Sequence, residues 1–307
     1  GDYKSDIITS INAGIDMVMV PGAVKFGNES YEDFLKLFKE SVDEGLIPLE
    51  RIDDAVRRIL MIKKQSGLFE RPFSDQSLLT YIGSQNHRQI AREAVQKSMV
   101  LLKNENDMLP LPKSGKKIIV AGRGADNIGM QSGGWTISWQ GTGNVNSDFP
   151  GGSSILDGFV RHARQVGGDA ALYDPTEPGA KPDAVVMVMA ENPYAEGQGD
   201  IDTLAWQQGN SRDLALIRQL KDQGIEVITL CLTGRPMWVN AEINASDAVV
   251  FAWLHGSEGA AVADVLLATP TGAARRTSWQ AVLTARAVLV EATVVPFFPG
   301  SSFSALE

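Results

Sequence analysis

Apolar positions in the first 67 residues follow a helical period that one short, wholly apolar run interrupts. The period predicts three helices, at residues 5–14, 30–45 and 50–65. Ser30 suits the N-cap of the second helix, and Gly67 suits the position after the end of the third. The apolar run at 17–21 ends in proline and predicts a strand buried on both faces, as in a parallel sheet.

Residues 68–83 lose this period and mix Pro, Ser, Asp and Gly, which is typical of a linker. A helix resumes at residue 84, and from residue 116 strands and helices alternate. The alternation predicts strands at 117–122, 183–190, 226–234 and 248–256 and helices at 211–223 and 258–267. Alternating units of this kind form a parallel sheet, so the predicted fold class is α/β.

Composition narrows the possible functions. The chain has 28 Lys and Arg against 37 Asp and Glu, a net charge of −9, which disfavours nucleic-acid binding because phosphate contacts need clustered cations. Cys231 is the only cysteine, which excludes an intrachain disulfide and a thiol metal cluster. His87, His162 and His255 lack the spacing of a metal-ligand pair. No apolar run approaches the roughly 18 residues of a membrane-spanning helix.

The string GGWTISWQG at 133–141 places Trp135 and Trp139 between glycines. Glycine flanks disfavour packing of both rings in a regular core, and exposed indole faces bind the C–H faces of sugar rings. The alternative is that one ring packs in a domain interface and the other in a core. The spacing alone leaves both interpretations open.

The string ENPYAEGQGD at 191–200 follows the most apolar predicted strand. Ligands of open α/β sheets bind outside the carboxyl ends of the strands, and this loop carries Glu191, Glu196 and Asp200. A carboxylate on such a loop can act as a general acid, although solvated acidic loops are common. A general acid must hold a proton, so we expect its surroundings to raise its pKa.

Two other loops do not match the motifs they resemble. GRGADNIG at 122–129 has Asn127 where a dinucleotide-binding GxGxxG needs glycine. HGSEG at 255–259 does not match the GxSxG motif of serine hydrolases, and its Glu258 suits the first turn of a helix. We therefore predict structural roles for both.

In their order along the chain, these strings resemble glycoside hydrolase family 3, the β-glucosidases and exo-β-glucanases. The resemblance covers residues 1 to about 268 and rests on eight strings: AGIDMVMVP, GLIPLERIDDAVRRIL, GLFERP, AREAVQKSMVLLKNE, LPLP, GGWTISWQG, ENPYAEGQGD and FAWLHGSEG.

The resemblance implies a (β/α)8 barrel followed by an α/β sandwich domain, and a retaining mechanism on β-linked glucosides. It implies that Glu196 is the catalytic acid/base, with Glu191 as the alternative. It also implies that Trp139 and Trp135 clamp the sugar beyond the cleavage point and that Met19 lines the pocket. This chemistry requires neither a metal nor an organic cofactor.

The chain departs from the family at both ends. The Ser-Asp-Trp string of the family's nucleophile is absent, and a barrel needs about 250 residues, whereas only 67 precede the linker. We therefore expect a partial chain: the end of the barrel at 1–67, a linker at 68–83 and the sandwich domain at 84–307. From 271 to 307 the sequence lacks the Gly-[Lys/Arg]-Leu and Trp-Pro strings of the family. Without the nucleophile, we expect the isolated chain to be inactive.

The expected function of the intact enzyme is removal of β-linked glucose from the non-reducing end of β-glucans or oligosaccharides. The alternatives are a related activity on N-acetylglucosaminides or xylosides and a non-catalytic sugar-binding module. The expected partner is a β-glucoside or β-glucan oligosaccharide, with no nucleic acid and no membrane; the oligomeric state stays open. The first residue is Gly rather than Met, so the start resembles an internal cut, and we expect a periplasmic or secreted enzyme whose targeting segment is not in this chain.

Overall fold

The computed structural model describes residues 2–20, 30–111, 117–176, 181–207 and 209–267. The chain forms two compact units, Gly1–Ile82 and Gly83–Glu307. The predicted departure of the tail at 271–307 lies outside the described residues.

The first unit is helical where it is described. It contains α1 Tyr3–Asn12, α2 Tyr31–Asp43, α3 Leu49–Gln65 and a 3-10 helix at Gln76–Tyr81. Ser30 caps α2 as predicted: its hydroxyl accepts from the Asp33 N–H, and the Asp33 carboxylate accepts from the Ser30 N–H. Ile7, Ile11 and Ile47 form a small buried core. All three predicted helices are therefore confirmed, to within two residues at each end.

The predicted strand at 17–21 is wrong over its described part. Residues 17–20 have no regular structure, and the Met17 and Met19 side chains are 79% and 90% exposed. A buried strand needs neighbouring strands to pair its N–H and C=O groups, and the described residues of this unit contain none. The assignment of Met19 to a sugar pocket stays a prediction.

Within its described residues, the second unit contains a six-stranded sheet. Its strands are β1 Val100–Asn104, β2 Lys117–Ala121, β3 Asp169–Leu172, β4 Ala184–Ala190, β5 Glu226–Leu232 and β6 Ala248–Phe251. Their order across the sheet is β1-β6-β5-β4-β2-β3, and every pair is parallel except β1 with β6. All seven residues of β4 are buried, as its unbroken apolar sequence predicts. The α/β class and the mostly parallel sheet are confirmed.

Helices cover both faces of this sheet. They are α4 Gln85–Ser98, α5 Ile128–Ser132, α6 Ile155–Val166, α7 Arg212–Asp222, α8 Asn240–Ala245 and α9 Ala260–Leu266. Residues of α4, α6 and α9 pack on one face, and residues of α7 and α8 pack on the other. None of the helices within the described ranges combines the length and apolar character needed to cross a bilayer.

The strand order reverses between β2 and β4. From β2 the chain continues outward to β3, whereas from β4 it continues to β5 and β6 on the other side. Because the strands are parallel, the segments that follow β2 and β4 leave the sheet at the same edge. That edge, beside the reversal, is where open α/β sheets bind ligands.

Candidate functional site

Two loops meet at this edge. The tryptophan loop, residues 133–141, follows α5, and the acid loop, residues 191–200, follows β4 directly. Glycine permits their close approach: a Cβ on Gly134 would lie 2.0 Å from the backbone oxygen of Tyr194. A side chain at position 134 would therefore separate the two loops.

The tryptophan loop is a tight, internally bonded turn. The Trp135 N–H donates to the Trp139 oxygen at 2.8 Å, and the Ser138 N–H donates to the Thr136 oxygen at 2.7 Å. Trp135 and Ile137 both have positive φ, 56° and 63°. Each such non-glycine residue costs about 1–3 kcal/mol, and strain of this kind concentrates at ligand clamps and active sites.

The two tryptophans converge on Glu196. Glu196 Oε2 accepts from Trp139 Nε1 at 2.7 Å and from Trp135 Nε1 at 3.0 Å. The ring centroids are 6.4 Å apart with an interplanar angle of 49°. Trp135 is 70% exposed and Trp139 is 41% exposed, so neither is a core residue. The structure thus brings together three of the four residues that the sequence singled out; Met19 belongs to the first unit.

Gln140 joins the loops a second time. Its Nε2 donates to the Glu196 backbone oxygen at 3.0 Å, and its Oε1 accepts from the Ala195 N–H at 2.7 Å. Its side-chain amide thus pairs with the backbone of the acid loop like a neighbouring strand. Sequence reasoning missed Gln140, although it follows Trp139 directly in the string that was singled out.

The hydrogen bonds to Glu196 lower its pKa, contrary to the prediction for a general acid. The Trp139 indole N–H is the largest cause, followed by the backbone N–H of Glu196 itself, and Trp135 adds to them. Partial desolvation opposes this shift but is outweighed. Donors aimed at a carboxylate stabilise its charged form, so in this chain the indole N–H groups outweigh the desolvation of Glu196.

Glu191 is held in a different way. Thr233 Oγ1 donates to one of its oxygens at 2.5 Å, and Arg235 Nε donates to the other at 3.3 Å. Its side chain is only 16% exposed. Both oxygens of Glu191 are thus occupied by fixed partners, whereas Glu196 is an exposed carboxylate. This difference favours Glu196 over Glu191 as the reactive acid.

A cavity of about 320 Å³ lies beside the acid loop. Its lining includes Arg123, Asn192, Tyr194, Trp206, Arg235 and Met237. Neither Glu196 nor either tryptophan of the tryptophan loop lines it, so this cavity is separate from the Glu196 group. Within the described part of the chain, no three His, Cys, Asp or Glu side chains are placed to hold a metal ion.

The HGSEG string has a structural role, as predicted. Glu258 pairs with Arg88, with Nη1 2.7 Å from Oε1, and the Gly259 N–H donates to the Ser153 oxygen at 3.0 Å. His255 is buried, and burial lowers its pKa to about 4. An imidazole that is neutral and enclosed in this way packs the loop and does not titrate near neutral pH.

These features define an α/β sandwich domain with a carboxylate and an exposed aromatic pair at the carboxyl edge of its sheet. Residues 99–278, more than half of the chain, match the model of the glycosyl hydrolase family 3 C-terminal domain. The chain belongs to glycoside hydrolase family 3.

Similar proteins agree with this assignment. The chain is 32% identical to a lysosomal beta glucosidase of Dictyostelium discoideum, over 87% of this chain and 34% of the relative. It is 29% identical to a periplasmic beta-glucosidase of Salmonella typhimurium, over 86% and 37%. The crystal structure of an exo-1,3/1,4-beta-glucanase from a Pseudoalteromonas species is 47% identical, with a TM-score of 0.77 over 84% of this chain and 32% of that one. The chain thus spans about a third of the length of these proteins.

Proposed function

We propose that this chain is part of a retaining β-glucosidase or exo-β-glucanase in which Glu196 is the catalytic acid/base. The observation that carries the proposal is the exposed Glu196 carboxylate fixed by two indole N–H donors. The β-glucosidase and exo-glucanase activities in the names of its relatives support it.

The first unit is proposed to be the end of a (β/α)8 barrel, with Met19 lining the sugar pocket. The attacking carboxylate is proposed to be an Asp of that barrel, outside this chain, as the family resemblance implies. On this division of roles the isolated chain holds the acid/base without the nucleophile and does not turn over substrate.

The reaction then has two steps that share Glu196. First, the Asp attacks the anomeric carbon while Glu196 gives its proton to the departing glycosidic oxygen. Then water attacks the same carbon, Glu196 takes the proton of that water, and the Asp leaves. Retaining enzymes hold the two carboxyl groups about 5–5.5 Å apart.

The indole donors suit the second step, because they stabilise the charged form that accepts a proton. The first step needs the protonated form. A negatively charged nucleophile nearby raises the pKa of Glu196, and this effect disappears once that nucleophile is bonded to the sugar. The pKa of Glu196 is therefore higher in the first step, when it acts as an acid, and lower in the second, when it acts as a base.

The substrate is proposed to be a β-linked glucoside, cleaved from the non-reducing end, with the leaving sugar against Trp139 and Trp135. Xylosides and N-acetylglucosaminides are the alternative substrates. A periplasmic or secreted location is proposed from the periplasmic and lysosomal relatives.

Azide rescue in the intact enzyme tests the assignment. In Glu196→Ala, substrates with poor leaving groups should slow most, by about 10²–10⁴-fold, because they depend on protonation. Activated aryl glucosides should still form the glycosyl-enzyme, and azide should restore turnover by attacking it without base help, giving a β-glucosyl azide.

Glu191→Ala is the matched control, because it removes an acid from the same loop. It should lose activity without azide rescue. Rescue of Glu191→Ala and not of Glu196→Ala would transfer the assignment to Glu191. Oligosaccharide binding by calorimetry, without turnover or rescue in the intact protein, would instead establish a sugar-binding module.

A further inference from the structure

Arg235 makes three contacts with the acid loop. Its Nε donates to Glu191 Oε1 at 3.3 Å, and its Nη1 donates to the Gly199 oxygen at 2.6 Å. Its guanidinium carbon lies 3.9 Å above the ring centroid of Tyr194. The side chain is 19% exposed, so these contacts are partly shielded from water.

The three contacts are spread along the loop. Glu191 begins the loop, Tyr194 lies in its middle, and Gly199 is near its end. Glu196 lies between the second and third contacts. Among the described residues, Arg235 makes no hydrogen bond to Glu196 itself, so its effect on the position of Glu196 passes through the loop backbone.

The opposite side of the loop packs against the tryptophan loop. The Tyr194 carbonyl lies against Gly134, and Gln140 holds the backbone of Ala195 and Glu196. The acid loop has few regular hydrogen bonds of its own: the Gly199 N–H donates to the Ala195 oxygen, and the Asp200 N–H donates to the Gly197 oxygen. Thr233 also bonds Glu191, and Arg123 bonds Asn192, but both act near the start of the loop. Arg235 contacts its start and its end.

We propose that Arg235 is a positioning residue for Glu196: by fixing the start, middle and end of the acid loop, it holds the Glu196 carboxylate against the two indoles. This inference rests on the proposed role of Glu196. A planar guanidinium can bond in two directions while its face stacks on a ring, whereas a lysine ammonium on the same stem cannot.

The test is an NMR titration of the 307-residue chain with ¹⁵N-labelled tryptophan. The indole Nε1–H signals of Trp135 and Trp139 report the charge on Glu196, because both donate to its Oε2. In the unaltered chain both signals should shift with pH, with an apparent pKa below the ordinary 4.5 of a glutamate.

In Arg235→Ala, most of this pH-dependent shift should disappear, and the residual apparent pKa should return to about the ordinary 4.5. Arg235→Lys keeps a positive charge beside Glu191 and serves as a second variant in case Arg235→Ala does not fold. Its pH-dependent indole shift should lie between those of the unaltered chain and of Arg235→Ala. A folded Arg235→Ala or Arg235→Lys chain that titrates like the unaltered one would overturn the proposal.

Arg88→Ala is the matched control. Arg88 also pairs with a mostly buried glutamate, Glu258, and also donates to a glycine carbonyl, that of Gly151. Arg88→Ala should leave the titrations of both indole signals unchanged. If it reduced the pH-dependent shift as much as Arg235→Ala does, the effect would be a general loss of stability and not a role of Arg235. The titration is independent of azide rescue, so failure of the positioning role and failure of the catalytic role are distinguishable.

Discussion

At the scale of single residues, the Trp139 side chain offers two separate groups for interaction: a donor N–H and an exposed ring face. The N–H donates to Glu196, and the residue remains 41% exposed. Removing the side chain therefore removes both, and their consequences fall on different parts of the substrate.

Trp139→Ala in the intact enzyme should weaken the leaving-side sugar more than the glucose that is transferred. Stacking on an aromatic face is worth about 1–3 kcal/mol in the comparable case of nucleic-acid bases. Disaccharide affinity should fall about tenfold or more, while inhibition by glucose should change little. Inhibition constants for the disaccharide and for glucose measure this difference. Trp238→Ala is the control, because Trp238 is also an exposed tryptophan. Equal losses of affinity for both sugars would make Trp139 a packing residue.

His255 predicts a pH dependence of stability. Burial lowers its pKa from 6.5 to about 4, so between these values the unfolded chain binds a proton that the folded chain does not. Stability is therefore lost as the pH falls from about 6.5 to about 4, by about 3 kcal/mol in all.

Urea unfolding of the chain and of His255→Leu at several pH values measures this contribution. The difference in unfolding free energy between them should change with pH in that window and stay constant above about pH 7. His162 is also lowered in pKa by burial and remains in both chains, so the comparison isolates His255. A constant difference across the window would contradict the assignment.

At the scale of elements, the contact of α6 with α9 depends on one residue without a side chain. A Cβ on Gly158 would lie 2.7 Å from Ala260 Cα and 2.9 Å from Ala263 Cβ. The backbone of α9 cannot move aside without disturbing the sheet beneath it.

Gly158→Ala should therefore destabilise the second unit, although replacing glycine by alanine inside a helix usually stabilises it by about 1 kcal/mol. Overpacking of this kind costs about 1–3 kcal/mol. A lower urea midpoint is the expected result. A higher midpoint would show that α6 and α9 separate easily.

Sequence patterns predicted the elements whose signals are strong and local. β4 is an unbroken apolar run, and α7 places Leu214, Ile217 and Leu220 on one buried face. β3 was not predicted because it is a four-residue edge strand whose residues are mostly exposed, so it lacks the apolar run of a buried strand. α6 was missed although Ser154 and Asp157 form a capping box at its start.

For the candidate site, sequence reasoning identified Glu196 and the tryptophans, but not how they meet. Nothing in the spacing of positions 135, 139 and 196 shows that two indoles donate to one carboxylate oxygen. Arg235 and Gln140 were missed for the same reason: their roles lie in contacts with a loop that is distant in sequence. The predicted strand at 17–21 is the reverse case: its apolar run is a strong local signal, but the described residues of the first unit contain no strand to pair with it.

At the scale of the whole molecule, the two units differ in the size of their cores. The described core of the first unit is a cluster of three buried isoleucines, and Phe69 and Phe73 are among its exposed side chains. The second unit has extensive clusters on both faces of its sheet. Small cores are marginally stable because they bury too little apolar surface to offset chain entropy.

Limited proteolysis of the isolated chain should therefore remove the first unit. Cleavage is expected before about residue 84, leaving a resistant fragment that begins near Gly83, where the second unit starts. Mass spectrometry of the fragments over time would show this. A resistant fragment covering residues 1–67, with the second unit degraded, would contradict it.

Both indoles donate to Oε2 of Glu196. With Oε2 occupied in this way, a proton added to the carboxyl group belongs on Oε1. In the proposed acid/base role, Oε1 is then the oxygen that makes both proton transfers, while Oε2 serves as the anchor. In the Glu196→Gln isostere, the amide oxygen must face the indoles, and the NH₂ group then occupies the position of the protonated oxygen. The variant copies the shape of the acid form, oriented for the leaving group but unable to release a proton to it, which makes it the form of the enzyme best suited to hold an uncleaved substrate.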